Sequence, residues 1–129
     1  MFLKNTLSRY LRFIKLYAEE HQYLSAAVAG LFLGVGFVYS AVWYLALLGF
    51  IGLLWLLDQC SSSSKAFLVG WVSVSLLTAC SLSWVFSVYP IDWLPEMNSI
   101  WQLSAIAFYW LTSSFVIGLS GGFFAIFVW

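Results

Sequence analysis

The chain has 129 residues, of which 64% are hydrophobic, 21% aromatic and 8% charged, against about 25% charged residues in an ordinary soluble domain. Five cations and five anions cannot cover the surface of 14.6 kDa of protein, so the composition argues against a soluble domain and points to lipid as the solvent. The formal net charge of +0 removes the basic footprint of a nucleic-acid binder, and no nucleic-acid partner is expected.

Residues 1–20 carry four of the five cations. A helical projection at about 100° per residue places Lys4, Ser8, Arg12, Lys15 and Glu19 on one arc with Arg9 at its edge. Phe2, Leu3, Leu7, Tyr10, Phe13, Ile14 and Tyr17 fill the other. This pattern predicts an amphipathic helix lying in the membrane interface, with Lys4, Arg9, Arg12 and Lys15 facing phospholipid headgroups. The plainer reading is the basic start of a signal peptide, with Val38-Tyr39-Ser40 before Ala41 as a cleavage site. The long basic region and the further apolar span that follows at once disfavour it.

Residues 21–129 read as a four-helix transmembrane domain, and the whole as an all-α integral membrane protein. A crossing helix needs about 20 apolar residues, or about 17 at the short end, and spans are predicted near 22–38, 41–57, 66–89 and 99–127. Gly34, Gly36 and Ser40 are the only helix-weakening residues around the first junction, so the first two spans should form a tight hairpin. The loop Asp58-Gln59-Cys60-Ser61-Ser62-Ser63-Ser64-Lys65 is polar, and Pro90 and Pro95 bracket the break before the last span.

Lys65 and the four N-terminal cations place both of their segments inside, because cytoplasmic flanks retain Lys and Arg. The loop with Asp92 and Glu96 is then outside. Both termini are expected in the cytoplasm.

No Asp, Glu, His, Lys or Arg falls inside a span, which argues against an ion-coupled transporter. Gly30 with Gly34 and Gly118 with Gly122 form two G-x-x-x-G pairs, the spacing that lets helices approach closely within a chain or between copies. Ser73, Ser75, Thr78, Ser81, Ser83 and Ser87 give the third span a high hydroxyl content, read first as structural bonding. Cys60 reads as a free thiol in the inner loop. Cys80 reads as a small buried residue about half a membrane away, too far for a disulfide. Leu77-Thr78-Ala79-Cys80 has the form of a lipobox but stands far from the N-terminus. His21, the sole histidine, reads as an interface residue at the inner boundary. No metal or cofactor is expected; the outer side offers only Asp92 and Glu96, and there is no extramembrane domain to hold a catalytic site.

The stretch from Gly34 to Asp58, the polar loop, and the helix beginning Lys65-Ala66-Phe67 with Gly70-Trp71 and ending Ser83-Trp84-Val85-Phe86-Ser87 resemble the N-terminal transmembrane region of bacterial apolipoprotein N-acyltransferase. The resemblance spans about residues 22–127. It implies an inner-membrane transferase that moves an acyl chain from phospholipid to the N-terminal cysteine of a lipoprotein. That chemistry uses a Glu, Lys and Cys triad in a periplasmic nitrilase-like domain, and no residue of this chain matches those positions. Tyr39-Ser40-Ala41 also stands where the family has a proline. The expected protein is therefore a truncated or split membrane module, inactive alone, whose partners are membrane phospholipid and a separate nitrilase-like chain or a lipoprotein substrate. The alternative is a small non-enzymatic membrane-interaction protein that packs against partner helices.

Overall fold

A computed structural model describes residues 21–91 and 97–129. The predicted interfacial helix, with Lys4, Arg9, Arg12 and Lys15, lies outside the described residues, as do Asp92 and Glu96. Among the described residues there are four α-helices: α1 (Gln22–Val38), α2 (Tyr44–Asp58), α3 (Ser63–Ser81) and α4 (Ser99–Val128). A 3-10 turn, Ser40–Val42, joins α1 to α2, and a second 3-10 segment, Leu82–Val88, extends α3.

Helix length separates the two pairs. With its extension, α3 covers 26 residues and α4 covers 30, and both are long and apolar enough to cross a membrane. At 17 and 15 residues, α1 and α2 fall at or below the short end of about 17. Among the described residues the structure is thus all-helical with two helices of membrane length, where the hydropathy pattern suggests four.

The local sequence accounts for the boundaries. Ser62 caps α3 by accepting from the Lys65 amide at 3.4 Å, and the Asn98 side chain caps α4 by accepting from the Ile100 amide at 3.3 Å. The first helix stops at Tyr39, whose backbone is extended, and three residues of 3-10 turn suffice to reverse the chain.

The predicted third span was continuous over 66–89, but the α-helix ends at Ser81. Thr78 and Ser81 donate to the carbonyls of Val74 and Leu77 at 2.8 and 2.9 Å, bonds that compete with the helix ladder. Just beyond, the chain tightens into 3-10 geometry.

The helices lie in the order α2, α1, α3, α4, each interface joining neighbours in that series. Facing residues show that α1 runs parallel to α3, since Gly30 meets Ser73 and Gly34 meets Leu77 and Cys80. The pairs α1–α2 and α3–α4 are antiparallel: Gly36 meets Ala46, and Gly70 meets Gly121. Beyond its interface with α1, α2 reaches α3 only in a minor way. Ala26, Ala29, Leu53, Leu56, Leu57, Cys60, Ala66, Val69 and Ala125 close the core where all four helices converge. A second cluster of Val85, Ile91 and Ile106 packs the 3-10 segment against α4 at the opposite end.

Candidate functional site

The seams that α3 makes with α1 and α4 are built largely from small residues. Buried positions are Ala26, Ala29, Gly30, Gly34 and Gly36 on α1, and Ser114, Gly118, Gly121, Gly122 and Ala125 on the half of α4 that faces α3. In lipid no hydrophobic force drives one apolar helix onto another, so close backbone packing must hold them. A Cβ on Gly30 would overlap the Ser73 backbone, and one on Gly70 would overlap the Gly121 carbonyl and Ala125. On Gly34 it would fall 2.6 Å from the Cys80 Cβ, and on Gly122 2.5 Å from the Phe67 ring.

The four glycines singled out from spacing therefore all face α3 of their own chain. Gly70, noted only in the resemblance, and Gly121, not noted, face each other backbone to backbone across the α3–α4 seam. The signal for Gly121 was present in the small residues at 114, 118, 121, 122 and 125, which repeat on one helical face.

Polar groups fasten the same seams. The Ser73 hydroxyl donates to the Ala26 carbonyl at 2.8 Å, an interhelical bond at full burial. The indole of Trp71 donates to the Phe115 carbonyl at 3.1 Å and its ring meets the Phe115 ring edge-on at 4.6 Å. From the other side, Trp110 donates to the Ala79 carbonyl at 2.8 Å. The Ser75 hydroxyl fills the notch left by Gly118 and has no hydrogen-bond partner. Of the other hydroxyls singled out, Thr78, Ser81 and Ser87 bond back to their own segment. In the segment Ser83-Trp84-Val85-Phe86-Ser87 only Val85 is buried, and the remaining four are exposed.

Two polar nodes mark the two ends. At the base, where α1 and α3 begin and α2 and α4 end, the Gln22 amide donates to the Cys60 sulfur at 3.0 Å and the Trp129 indole donates to the Cys60 carbonyl at 3.0 Å. Cys60 was expected in an open polar loop; it is a free thiol, but buried in the converging core. Burial pushes its pKa up, opposed by the Gln22 hydrogen bond and the Lys65 charge. Cys80 is also free and touches α1 at Gly34, twelve residues or about 18 Å along the helix from the Gln22 contact. At the other end Gln102 accepts from the Ile91 amide at 3.1 Å and donates to the Met97 carbonyl at 3.1 Å, holding both flanks of the loop before α4.

The outer surface is the reverse of the interior. Phe37, Ile100, Phe108, Phe123 and Phe127 are all at least two-thirds exposed, Phe127 to 91%. A groove of about 380 Å³ between α1 and α2 is lined by Leu24, Val28, Phe32, Leu48, Gly52 and Trp55. Among the described residues no three His, Cys, Asp or Glu side chains are grouped to hold a metal ion. No protein family, no curated protein and no solved structure matches the chain.

Proposed function

We propose that the chain is a membrane module whose four helices all cross the bilayer, with the base end carrying Cys60 and Trp129 on the cytoplasmic side of a bacterial inner membrane. In this reading it is the membrane half of a lipid acyl-transfer machine of the apolipoprotein N-acyltransferase type. It offers a phospholipid-facing platform and depends on a separate nitrilase-like chain for chemistry. The observation that supports the membrane assignment is the inversion of side-chain size, small residues in the seams and large apolar residues outside. A soluble protein of this size would expose far fewer large apolar side chains in one continuous surface.

Reporter fusions after Ser62 should report cytoplasm and fusions after Asp92 periplasm, since Lys65 is the only cation outside the N-terminal segment. The opposite assignment at either point overturns the four-crossing reading. The purified chain should show no acyl transfer from phospholipid to a diacylated lipopeptide, and activity should appear when a nitrilase-like chain is added. Continued inactivity with such a chain turns the assignment toward the second reading, a non-enzymatic membrane-interaction protein. The α1–α2 groove favours that second reading, because the glycine faces are already occupied within the chain and leave this outer surface for a partner helix.

A further inference from the structure

The α1–α2 hairpin is shorter than the α3–α4 pair, and the difference lies at one end. At the base the two pairs are flush, because Gln22, Cys60 and Trp129 meet there. At the other end, Gly34 sits beside Leu77 and Cys80, and α1 stops four residues later at Val38. That places the end of α1 about 6 Å beyond the Cys80 level, with the three-residue turn Ser40–Val42 closing the hairpin beyond it. The neighbouring pair continues. Trp110 bonds Ala79 near this level, and α4 runs on for eleven more residues to Ser99, about 16 Å. The end of α1 therefore stops roughly 10 Å short of the end of α4. The seven residues of 3-10 segment Leu82–Val88, rising about 2 Å each, account for a similar height on α3.

The extra height carries large apolar side chains, interspersed with exposed Ser83, Ser87, Ser99 and Ser104, of which Ser87 and Ser104 donate to carbonyls of their own segment. Ile100, Trp101 and Leu103 are exposed on α4, and Trp84, Phe86 and Val88 on the 3-10 segment. The tip, in contrast, has backbone groups that end two helices and need water or headgroups, and it carries exposed Tyr39, Trp43 and Tyr44, the residues of an interfacial belt. Exposed Tyr23 lies sixteen residues before Tyr39 on the hairpin, about 24 Å, whereas exposed Trp101 and Trp129 on α4 are twenty-eight residues apart, about 42 Å. Tilt cannot reconcile them. A helix of about 45 Å fits a layer of about 26 Å only well beyond the roughly 40° reached by membrane helices.

We propose that the protein holds a thinner hydrocarbon layer against its α1–α2 side than against its α3–α4 side, and so gathers short-chain phospholipids around the hairpin. The proposal rests on the membrane-crossing reading above. Its test reconstitutes the full chain in vesicles of dimyristoleoyl, dioleoyl or dierucoyl phosphatidylcholine and measures relative lipid affinity from tryptophan quenching by brominated lipids. Severalfold preference for the shortest chain over the longest is expected, and inserting one helical turn of Leu and Ala after Val38 and another after Trp43 should abolish it. No preference, a preference for the longest chain, or an unchanged preference in the lengthened variant overturns the proposal. A second measurement does not depend on that variant folding. With Trp43→Cys spin-labelled in a Cys60→Ser, Cys80→Ser background, the label in dioleoyl vesicles should sit at headgroup depth, and a label deep in hydrocarbon overturns the thinning alone. A chain that fails to float with any vesicle after an alkaline wash removes the membrane-crossing reading, and this proposal with it.

Discussion

The indole of Trp129 donates to the carbonyl of Cys60 at 3.0 Å, across 69 residues of sequence. Because the Gln22 amide donates to the sulfur of the same cysteine, one residue ties the start of α1 and the end of α4 to the α2–α3 connection. The bond satisfies a carbonyl just past the end of α2, where the helix has no amide of its own to offer.

Trp129→Phe keeps an aromatic ring at this position and removes only the donor. We expect a loss of about 0.5–1.5 kcal/mol in unfolding free energy, the net worth of one such bond. Reversible denaturation in detergent micelles measures it. A variant as stable as the parent would show that the bond only decorates the base.

Two glycines predict opposite outcomes for the same substitution. Gly30→Ala drives a methyl into the Ser73 backbone, which cannot move without opening the α1–α3 seam, and should cost about 1–3 kcal/mol. At Gly52 the nearest atom to an added Cβ is that of Ala29, 4.0 Å away, an ordinary contact. Gly52→Ala should therefore stabilise α2 by about 0.5–1 kcal/mol through helix propensity. Parallel unfolding curves decide both, and equal effects at the two sites would contradict the packing.

Cys60 should titrate above the ordinary cysteine range, because its burial outweighs the Gln22 hydrogen bond and the Lys65 charge. In a Cys80→Ser background the alkylation rate should therefore rise only at a pH higher than that of a free thiol. Gln22→Leu should move the profile further up, since it deletes a donor to the thiolate. A folded pKa above the unfolded one gives a contribution fully present below the unfolded value and lost as pH rises through the folded value. A profile at or below that of free cysteine would contradict the burial of this sulfur.

The helix bounds at 22–38 and 99–127 were legible because each is a long apolar run entered through a polar residue, Gln22 or Ser99, and α1 and α4 follow to within a residue. The end of the α-helix at Ser81 was not, because hydropathy is blind to the difference between α and 3-10 geometry in an apolar run. Gly30 and Gly34 could be read as packing residues from spacing, yet spacing does not say which helix they face. That choice depends on Ser73, whose short side chain lets the backbones meet and whose hydroxyl bonds Ala26. Cys60 misled for a related reason. Its neighbours are serines, but the convergence of four helix ends buries it.

The two neighbouring serines of α3 test that account most directly, since composition treats them alike and the structure does not. Ser73 is fully buried and its hydroxyl spans the α1–α3 seam to Ala26 at 2.8 Å. Ser75 faces α4, fills the notch at Gly118, and its buried oxygen has no hydrogen-bond partner. Removing the first hydroxyl loses a bond and leaves a small gap, so Ser73→Ala should destabilise by about 1 kcal/mol, within the range of interhelical bonds in membrane proteins. Removing the second relieves a desolvated group while keeping the Cβ that packs against α4. Ser75→Ala should therefore be neutral or stabilising. A double variant measures any coupling between the two hydroxyls, which act at different interfaces of one helix. If Ser75→Ala instead costs as much as Ser73→Ala, the Ser75 oxygen has a partner, and the close fit of Ser75 into Gly118 would need another explanation.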